Sequence, residues 1–372
     1  MRILITCPHL YLRGGVSNYY GVIKKYLPVE ADFVEVGARK EGEGRLAKPL
    51  HLLSDCKKLG HQLNRRQEKY NLVHINPSFN FASLLRDGLL LRIAKKSGTK
   101  TLVFFRGINR HNIGFTEQHF FRPFFRGYDK ADGFIVLSSE FKDKMRDWGF
   151  KQRIFEETTL VDDEYLRDFS IEKRIRRAQS HKPTRLLFLS RILREKGICE
   201  TIQAVRKLRE KRHDICLTVA GDGPFFNEAR QFARTVGAAE SVSFLGYVKG
   251  QQKKGLLVNS DIFVFPSYSE GMPNSVLEAM AFGLPVVTRP VGGIKDFFMN
   301  GEHGYMTESK DPEIIATLIE RIMTDRALMT KMSRTVHEYA KKRFMASSVA
   351  ERLTDIYKTM MRPESSIQRA LE

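Results

Sequence analysis

The segment that decides the fold is residues 262–287, which reads IFVFPSYSEGMPNSVLEAMAFGLPVV. It begins with a short apolar run of strand length, Ile262–Phe265. A turn at Pro266 and Ser267 follows, then a stretch with the apolar spacing of a helix, and then a second apolar run at Pro285–Val287. A strand, a helix and a second strand in this order predict a parallel sheet covered by helices.

The same alternation extends through the rest of the second half of the chain. Further strands are predicted at Arg185–Ser190, Ile215–Ala220 and Val242–Leu245, with helices at about 197–211, 224–236, 249–260 and 273–283. In the first half, strands are predicted at Ile3–Thr6, Phe33–Val36, Leu72–Ile75, Thr101–Phe105 and Gly133–Leu137. The sequence therefore predicts two α/β domains, each a doubly wound parallel sheet.

The boundaries of these domains follow from a change in composition. Residues 166–183 are rich in charge, have little apolar periodicity, and are predicted to be a linker between domains at 1–165 and 184–345. Beyond residue 310 the chain is predicted to be helical, and its last helix, 346–372, is placed to cross back to the first domain. Ligands of open parallel sheets bind at the carboxyl ends of the strands, so a cleft between two facing domains is expected.

Composition excludes several classes of protein. With 42% hydrophobic and 28% charged residues, the 372-residue chain is globular rather than disordered. Its apolar runs are far shorter than the roughly 20 residues of a membrane span, and the N-terminus has no signal-peptide core. The four cysteines form no CxxC pair, which predicts a reducing cytoplasm and neither a zinc site nor a disulfide framework.

The net charge of +19, with more of the excess in residues 1–180, predicts an anionic partner. Nucleic acid, an acidic lipid surface and a phosphorylated substrate all fit, although no nucleic-acid-binding module is present. Residues 120–126, which alternate phenylalanine with arginine and proline, could seat in a lipid headgroup layer or form the core face of a helix.

The loop after Phe265 carries the densest chemical signal. Pro273 suits the first turn of a helix, so the amides of Asn274 and Ser275 would be free to bind phosphate. Glu270 and Glu278 lie eight positions apart, and carboxylates close to a phosphate need hydroxyls from which to accept hydrogen bonds. The other interpretation is that Glu278 faces solvent and Glu270 complements the helix dipole.

This segment resembles the signature of the retaining glycosyltransferases of family 4, which have the GT-B fold and an E-x7-E pair. The resemblance implies that Glu278 holds the ribose hydroxyls of a nucleotide and that Glu270 contacts the transferred sugar. It also implies that the backbone near Met272 touches the diphosphate. The donor-binding set implied in this way further includes Gly271, Pro273, Asn274, Ser275, Gly246, Tyr247 and Gly15.

A second element of the resemblance is residues 190–197, SRILREKG. Cations after a parallel strand fit a diphosphate leaving group, and the family's equivalents of Arg191 and Lys196 grip it. Both residues are therefore predicted to be catalytic, with no metal ion and no cofactor. A lysine and a glycine are also common at a helix start that binds nothing.

Four glycine-containing turns complete the pattern. Residues 220–224 (AGDGP) and 244–248 (FLGYV) follow strands, and similar proteins place the nucleobase near the second. Gly292 and Gly293 resemble the family's loop near the donor sugar. Gly14 and Gly15 open the first helix, where an anion can approach the backbone. Each turn can also be explained without a ligand.

One position departs from the family. Many members end the fourth strand of the first domain with His-Gly, whereas this chain has Arg106 followed by Gly107. Because a guanidinium is not a base near neutral pH, Arg106 is predicted to bind an anionic group of the donor or the acceptor. His111 and His119 lie downstream and are candidates to replace the missing imidazole.

The sequence thus predicts a retaining hexosyltransferase that uses a nucleotide-sugar donor and a glycan or lipid-linked acceptor. Cell-surface polysaccharide or glycolipid assembly is the expected role, in the cytoplasm or peripherally at the inner face of the membrane. A nucleotide-sugar epimerase or a phosphorylase of the same fold is an alternative. The high charge and the missing histidine leave a third reading, a non-catalytic protein that binds polyanions or polysaccharide.

Overall fold

The structure is a computed structural model that describes residues 1–12, 14–40, 48–64, 69–78, 80–106, 127–180 and 183–362. The chain divides into two compact units. Unit 1 is Met1–Leu160 together with Ala346–Glu372, and unit 2 is Val161–Met345.

Unit 1 contains a six-stranded sheet in the order β2-β1-β3-β4-β5-β6, in which all neighbouring strands are parallel. The inner strands β3 and β5 are buried along their whole length, because helices cover both faces of a parallel sheet. The strands are β1 (Arg2–Cys7), β2 (Glu30–Glu35), β3 (Leu72–Ile75), β4 (Lys100–Phe104), β5 (Gly133–Val136) and β6 (Arg153–Glu156).

Two helices of unit 1, α3 (Phe81–Lys96) and α4 (Ser139–Asp147), begin after residues whose side chains accept from their first amides. Asn80 accepts a hydrogen bond from the Ser83 amide at 3.0 Å, and Ser138 accepts one from the Phe141 amide at 3.3 Å. The helices that precede unit 2 in the chain are α1 (Gly15–Ile23), α2 (Lys48–Leu63), α3 (Phe81–Lys96) and α4 (Ser139–Asp147).

Unit 2 contains a second six-stranded parallel sheet, in the order β12-β11-β10-β7-β8-β9. The order reverses direction on either side of β7 and β10, as in a doubly wound sheet. The strands are β7 (Thr184–Leu189), β8 (Ile215–Ala220), β9 (Val242–Gly246), β10 (Ile262–Phe265), β11 (Val286–Thr288) and β12 (Gly304–Met306).

The helices of unit 2 alternate with these strands and then run consecutively after β12. Asp311 and Asp325 cap two of them through the amides of Glu313 and Leu328. The helices are α5 (Ile171–Ser180), α6 (Ile198–Glu210), α7 (Phe226–Thr235), α8 (Gly250–Asn259), α9 (Asn274–Ala281), α10 (Ile294–Phe297), α11 (Pro312–Thr324) and α12 (Arg326–Arg343).

The segment predicted as a linker, 166–183, contains helix α5 of unit 2. Arg174 is buried there and donates hydrogen bonds to the Ser333 hydroxyl at 3.1 Å and to the Asp261 carbonyl at 2.8 Å. Burial lowers the pKa of Arg174 to about 10. A buried arginine does not register in an apolar pattern, which is why the helical face of this segment is hard to see in the sequence.

The last helix, α13 (Ala346–Met361), belongs to unit 1, as the fold prediction expects. Arg352 forms an ion pair with buried Glu157 at 2.7 Å, and the Tyr357 hydroxyl lies 2.7 Å from Nδ1 of His74. Among the described residues, no helix combines the length and the apolar character needed to cross a membrane.

The two doubly wound sheets confirm the predicted fold class. Each of the ten predicted strands is present, with ends that differ by up to three residues. The prediction missed β6 and β12, each of which is one of the two edge strands of its sheet. Arg153 and Glu156 flank the apolar pair of β6, and β12 has only three residues and begins with a glycine, so neither shows a strong strand pattern.

Candidate functional site

The loop between β10 and α9 holds most of the predicted donor-binding residues. Pro273 lies just before α9 in an extended conformation, so the helix begins one residue later than predicted. The Pro273 carbonyl accepts a hydrogen bond from the Val276 amide at 3.1 Å. The amides of Asn274 and Ser275 make no hydrogen bond to the described chain. They are the positive end of the α9 dipole, which is the arrangement that binds phosphate.

Glu270 is ion-paired in this loop. Its Oε1 lies 2.7 Å from Nζ of Lys196 and accepts a hydrogen bond from the Ser267 hydroxyl at 2.9 Å. Nζ of Lys196 also donates to the Ser269 carbonyl at 3.2 Å. The structure therefore brings together two of the three residues predicted to be catalytic.

The loops after β7 and β10 are fastened to each other, which is why Lys196 reaches Glu270. Gly197 has the left-handed φ of 79°, and a Cβ there would lie 2.4 Å from the Pro266 carbonyl oxygen. The Tyr268 amide donates to the Glu195 carbonyl at 2.9 Å, and its hydroxyl donates to Glu200 at 2.6 Å. Only a glycine at position 197 permits this approach.

Glu278 lies inside α9 and is only 5% exposed, so it does not face solvent. Its Oε1 is 2.7 Å from Nζ of Lys253, a residue of α8. Burial lowers the pKa of Lys253, but the attraction of Glu278 outweighs that effect and the net shift is upward. Sequence reasoning missed Lys253, and the available signal was a buried carboxylate that required a cation.

Arg191 is the third residue predicted to be catalytic, and it differs from Lys196. It is exposed in the loop after β7 and forms no ion pair with the described part of the chain. Its loop is fixed to the loop after β8, because the Ile192 amide donates to the Asp222 carbonyl at 2.7 Å. An unpaired cation at the end of a parallel strand is available to an anion.

The predicted glycine turns have structural tasks in unit 2. A Cβ at Gly221, whose φ is 138°, would lie 1.7 Å from the Ser190 carbonyl oxygen. The Gly221 amide donates to the Gly246 carbonyl at 2.7 Å, so the turn before Tyr247 is tied to the loop that carries Arg191. Tyr247 itself is 46% exposed. The glycines thus position the candidate site.

Gly292 and Gly293 lie against the loop that holds Glu270. The Gly293 amide donates to the Gly271 carbonyl at 2.7 Å, and a Cβ at Gly292 would lie 2.2 Å from the Glu270 carbonyl oxygen. This contact explains the glycine pair without a ligand, and it places the pair next to Glu270.

In unit 1, the predicted glycines lie at the carboxyl end of β1. Gly14 precedes α1, and Gly15 is its first residue. The Gly14 carbonyl accepts from the Asn18 amide at 3.0 Å, which is the first bond of the helix. Its φ of 164° is ordinary extended backbone. Because β1, β3 and β4 are parallel, this helix start and Arg106 lie at the same edge of the sheet.

Arg106 follows β4 and is held by aromatic rings. Its guanidinium carbon lies 3.6 Å from the ring centre of Tyr19 and 3.7 Å from that of Phe104. One terminal nitrogen donates to the Tyr20 hydroxyl at 2.7 Å, whereas the other, Nη1, is buried with no partner among the described residues. His111, Arg13, Gly107, His119 and residues 120–126 lie outside the described residues.

A buried histidine that the sequence analysis missed lies beside Arg106. His74 of β3 is stacked on Phe104 and bonded through Nδ1 to Tyr357. Its pKa is well below its usual value because it is buried and because Arg106 repels a second positive charge. His74 is therefore neutral, and its signal in the sequence was a polar residue within an otherwise apolar strand.

Comparison with known proteins links unit 2 to one family. Residues 170–343 match the model of the family described as glycosyl transferases group 1. The chain is 30% identical over 176 residues to an uncharacterized glycosyltransferase of Methanocaldococcus jannaschii, covering 47% of this chain and 45% of that protein. It is 27% identical over 186 residues to the capsular polysaccharide biosynthesis glycosyltransferase CapM of Staphylococcus aureus, covering 47% and 46%.

The chain thus spans about half the length of these curated relatives. Among solved structures, it is similar to HepE of Anabaena in complex with UDP, with a TM-score of 0.72 and 16% identity over 96% of this chain and 100% of that one. At this level of identity the likeness concerns the fold. It supports the GT-B fold class for the two parallel α/β units.

Proposed function

We propose that this chain is a glycosyltransferase that takes a sugar from a nucleoside-diphosphate donor bound to unit 2. The observation that carries the proposal is the loop between β10 and α9. Two carboxylates and two lysines, from this loop, the loop after β7 and helices α8 and α9, gather at the N-terminus of α9, within the segment that matches the glycosyl transferases group 1 model. HepE, which shares the fold, was solved with UDP bound.

Different residues of unit 2 bind different parts of the donor. The amides of Asn274 and Ser275, together with Arg191 and Lys196, bind the diphosphate and stabilise its charge as the bond to the sugar breaks. Glu278 accepts hydrogen bonds from ribose hydroxyls. The cations make a metal ion unnecessary in this scheme, so EDTA should leave the rate of transfer unchanged.

Glu270 is proposed to contact the transferred sugar. Anions compete with Glu270 for Lys196, so an arriving diphosphate frees the carboxylate to accept from sugar hydroxyls. We propose retention of configuration, in which the leaving diphosphate helps to deprotonate the acceptor hydroxyl on the same face of the sugar. No protein nucleophile is then required.

Unit 1 is proposed to bind the acceptor, a glycan or a lipid-linked sugar. The first amides of α1 and one nitrogen of Arg106 have no hydrogen-bond partner among the described residues, and both favour an acceptor that carries an anionic group. The excess of basic residues supports a peripheral site of action at an anionic, cytoplasmic membrane surface.

The first experiment is a thermal-shift panel with UDP, GDP and ADP, followed by an assay of sugar transfer with the nucleotide that binds. A ligand at 100 times its dissociation constant stabilises the folded state by about 2.7 kcal/mol. An epimerase would interconvert the sugar without an acceptor, and a phosphorylase would require inorganic phosphate. Absence of any shift with all three nucleotides would contradict the proposal and favour a binding protein.

A further inference from the structure

Lys253 is the one cation of α8 that turns toward the candidate site. Its Nζ lies 2.7 Å from Glu278, and the two side chains are 17% and 7% exposed. The neighbouring Lys254 forms no ion pair with the described chain. A nearly buried pair costs desolvation on both sides, and removal of either partner would leave an uncompensated charge beside the site.

The ammonium of Lys253 is held from two directions. Besides Glu278, it lies over the ring of Tyr165, 5.0 Å from the ring centre. Tyr165 belongs to the short 3₁₀ helix Asp163–Leu166, which is part of unit 2. The lysine is therefore a fixed element of the site rather than a mobile surface chain.

The pair leaves one carboxylate oxygen for a ligand. Oε1 of Glu278 is taken by Lys253, whereas Oε2 has no hydrogen-bond partner among the described residues. A carboxylate whose rotation is fixed by one charged hydrogen bond presents its second oxygen in a constant direction. That geometry suits hydroxyl donors of a ribose.

Lys253 also removes an electrostatic conflict. Glu278 lies one turn into the helix whose first amides are proposed to bind the diphosphate, and two anions at that distance repel each other. With Lys196 paired to Glu270 and Lys253 to Glu278, both carboxylates of the E-x7-E pair are neutralised. Arg191 and the helix dipole then attract the diphosphate first, and Lys196 exchanges Glu270 for it on binding.

We propose that Lys253 is a positioning residue for Glu278, and that the Lys253–Glu278 pair makes unit 2 selective for ribonucleoside over dideoxyribonucleoside diphosphates. This inference rests on the proposed function, because it assumes that Glu278 faces the ribose. It assigns a role to a residue outside the E-x7-E segment.

The test compares two ligands in several variants. Dissociation constants are measured by calorimetry for the nucleoside diphosphate that the parent chain binds and for its 2′,3′-dideoxy analogue. Any loss of charge attraction in Lys253→Met affects both ligands, whereas loss of positioning affects only the ribose form. The preference is the dissociation constant of the dideoxy analogue divided by that of the ribose form. We expect this ratio to fall roughly tenfold in Lys253→Met, about the size of one charged hydrogen bond.

Three further variants make the result specific. Lys254→Met, a matched control on the same helix, should leave the ratio unchanged. Lys253→Arg can still pair with Glu278 and should keep most of the parent chain's preference for the ribose form. This variant also tests the proposal if Lys253→Met does not fold. In a Glu278→Gln background, Lys253→Met should change the ratio less than twofold, because the two residues act as one unit.

The outcomes separate the two proposals. If the parent chain binds none of UDP, GDP and ADP, the proposed function is wrong. If it binds one of them and prefers the ribose form, but Lys253→Met and Lys253→Arg keep the full preference, the role of Lys253 is wrong. A change in the ratio that persists in Glu278→Gln would show that Lys253 contacts the ligand directly, and this too would overturn the positioning role.

Discussion

The carboxyl edges of the two sheets are built in different ways. In unit 2, the loops after β7, β8, β10 and β11 are held together by backbone contacts at Gly197, Gly221 and Gly292, and Lys196 forms an ion pair with Glu270 between two of them. In unit 1, Arg106, the second residue after β4, packs between aromatic rings beside a neutral histidine.

This difference shows how each edge holds its polar groups. The edge of unit 2 depends on close backbone approaches that only glycine allows, so its geometry is set by the main chain. The edge of unit 1 depends on side-chain stacking, and Gly14 there has an ordinary extended backbone. Substitutions should therefore have unequal effects on the two units.

Gly221→Ala should have the largest effect. The new Cβ would meet the Ser190 carbonyl oxygen at 1.7 Å in a backbone conformation that suits only glycine, so we expect a loss of roughly 3 kcal/mol or more from unit 2. Gly14→Ala, where the nearest atom is 3.8 Å away, should cost less than about 1 kcal/mol.

The two units can be followed separately during urea unfolding. Trp148, the only tryptophan, lies in unit 1, so its fluorescence reports that unit, whereas circular dichroism reports both. In Gly221→Ala, the circular dichroism transition should move to lower urea more than the fluorescence transition does. Equal destabilisation by the two glycine variants would contradict the comparison.

The cations of unit 2 should differ from each other. Lys196→Ala removes an attraction and also leaves Glu270 unpaired close to the anion, so nucleotide affinity should fall about 100-fold. Arg191→Ala removes only the attraction and should cost about tenfold. Adding Glu270→Gln to Lys196→Ala should recover part of the affinity, as measured by calorimetry. Unchanged affinity in both single variants would contradict the assignment of the diphosphate site.

The fold and much of unit 2 could be predicted because the signals are local. Strands β3, β8 and β10 are short apolar runs between turn residues, and Glu270 and Glu278 fall within one strand-loop-helix segment. Lys253 and His74 could not be predicted in the same way. Their partners, Glu278 and Tyr357, lie 25 and 283 positions away, and only the folded chain brings them together.

Acid should weaken both units through buried histidines. His303 in unit 2 is buried, and burial lowers its pKa to about 4, so it remains neutral in the folded state while its unfolded form takes up a proton below about pH 6.5. Stability should thus fall between pH 6.5 and 4, by up to about 1.4 kcal/mol per pH unit for each such group.

The pKa of His74 is shifted in the same direction, so unit 1 should follow the same trend. His303→Gln should flatten the dependence that circular dichroism detects and leave the fluorescence transition of Trp148 unaltered. If His303→Gln does not change the pH dependence of stability, other titratable groups cause the loss of stability in acid.

Arg106 gives the smallest expected effect and bears most directly on the edge of unit 1. Its guanidinium has one nitrogen bonded to Tyr20 and one, Nη1, buried without a partner in the described chain. A buried unpaired donor is costly unless a ligand fills it, so we expect an anionic group of one substrate to bind there.

Arg106→Ala should then raise the Michaelis constant for that substrate about threefold to tenfold and leave the other substrate unaffected. Arg106→Lys keeps the charge but loses the planar stacking on Tyr19 and Phe104, so it should raise this Michaelis constant less than Arg106→Ala does. Arg106→His should be no more active than Arg106→Ala, because no proton transfer is expected at this position. If Arg106→Ala matches the parent for both substrates but lowers the unfolding midpoint of unit 1, the arginine is there to hold the aromatic cluster, and the anion that unit 1 binds must be recognised at the start of α1 instead.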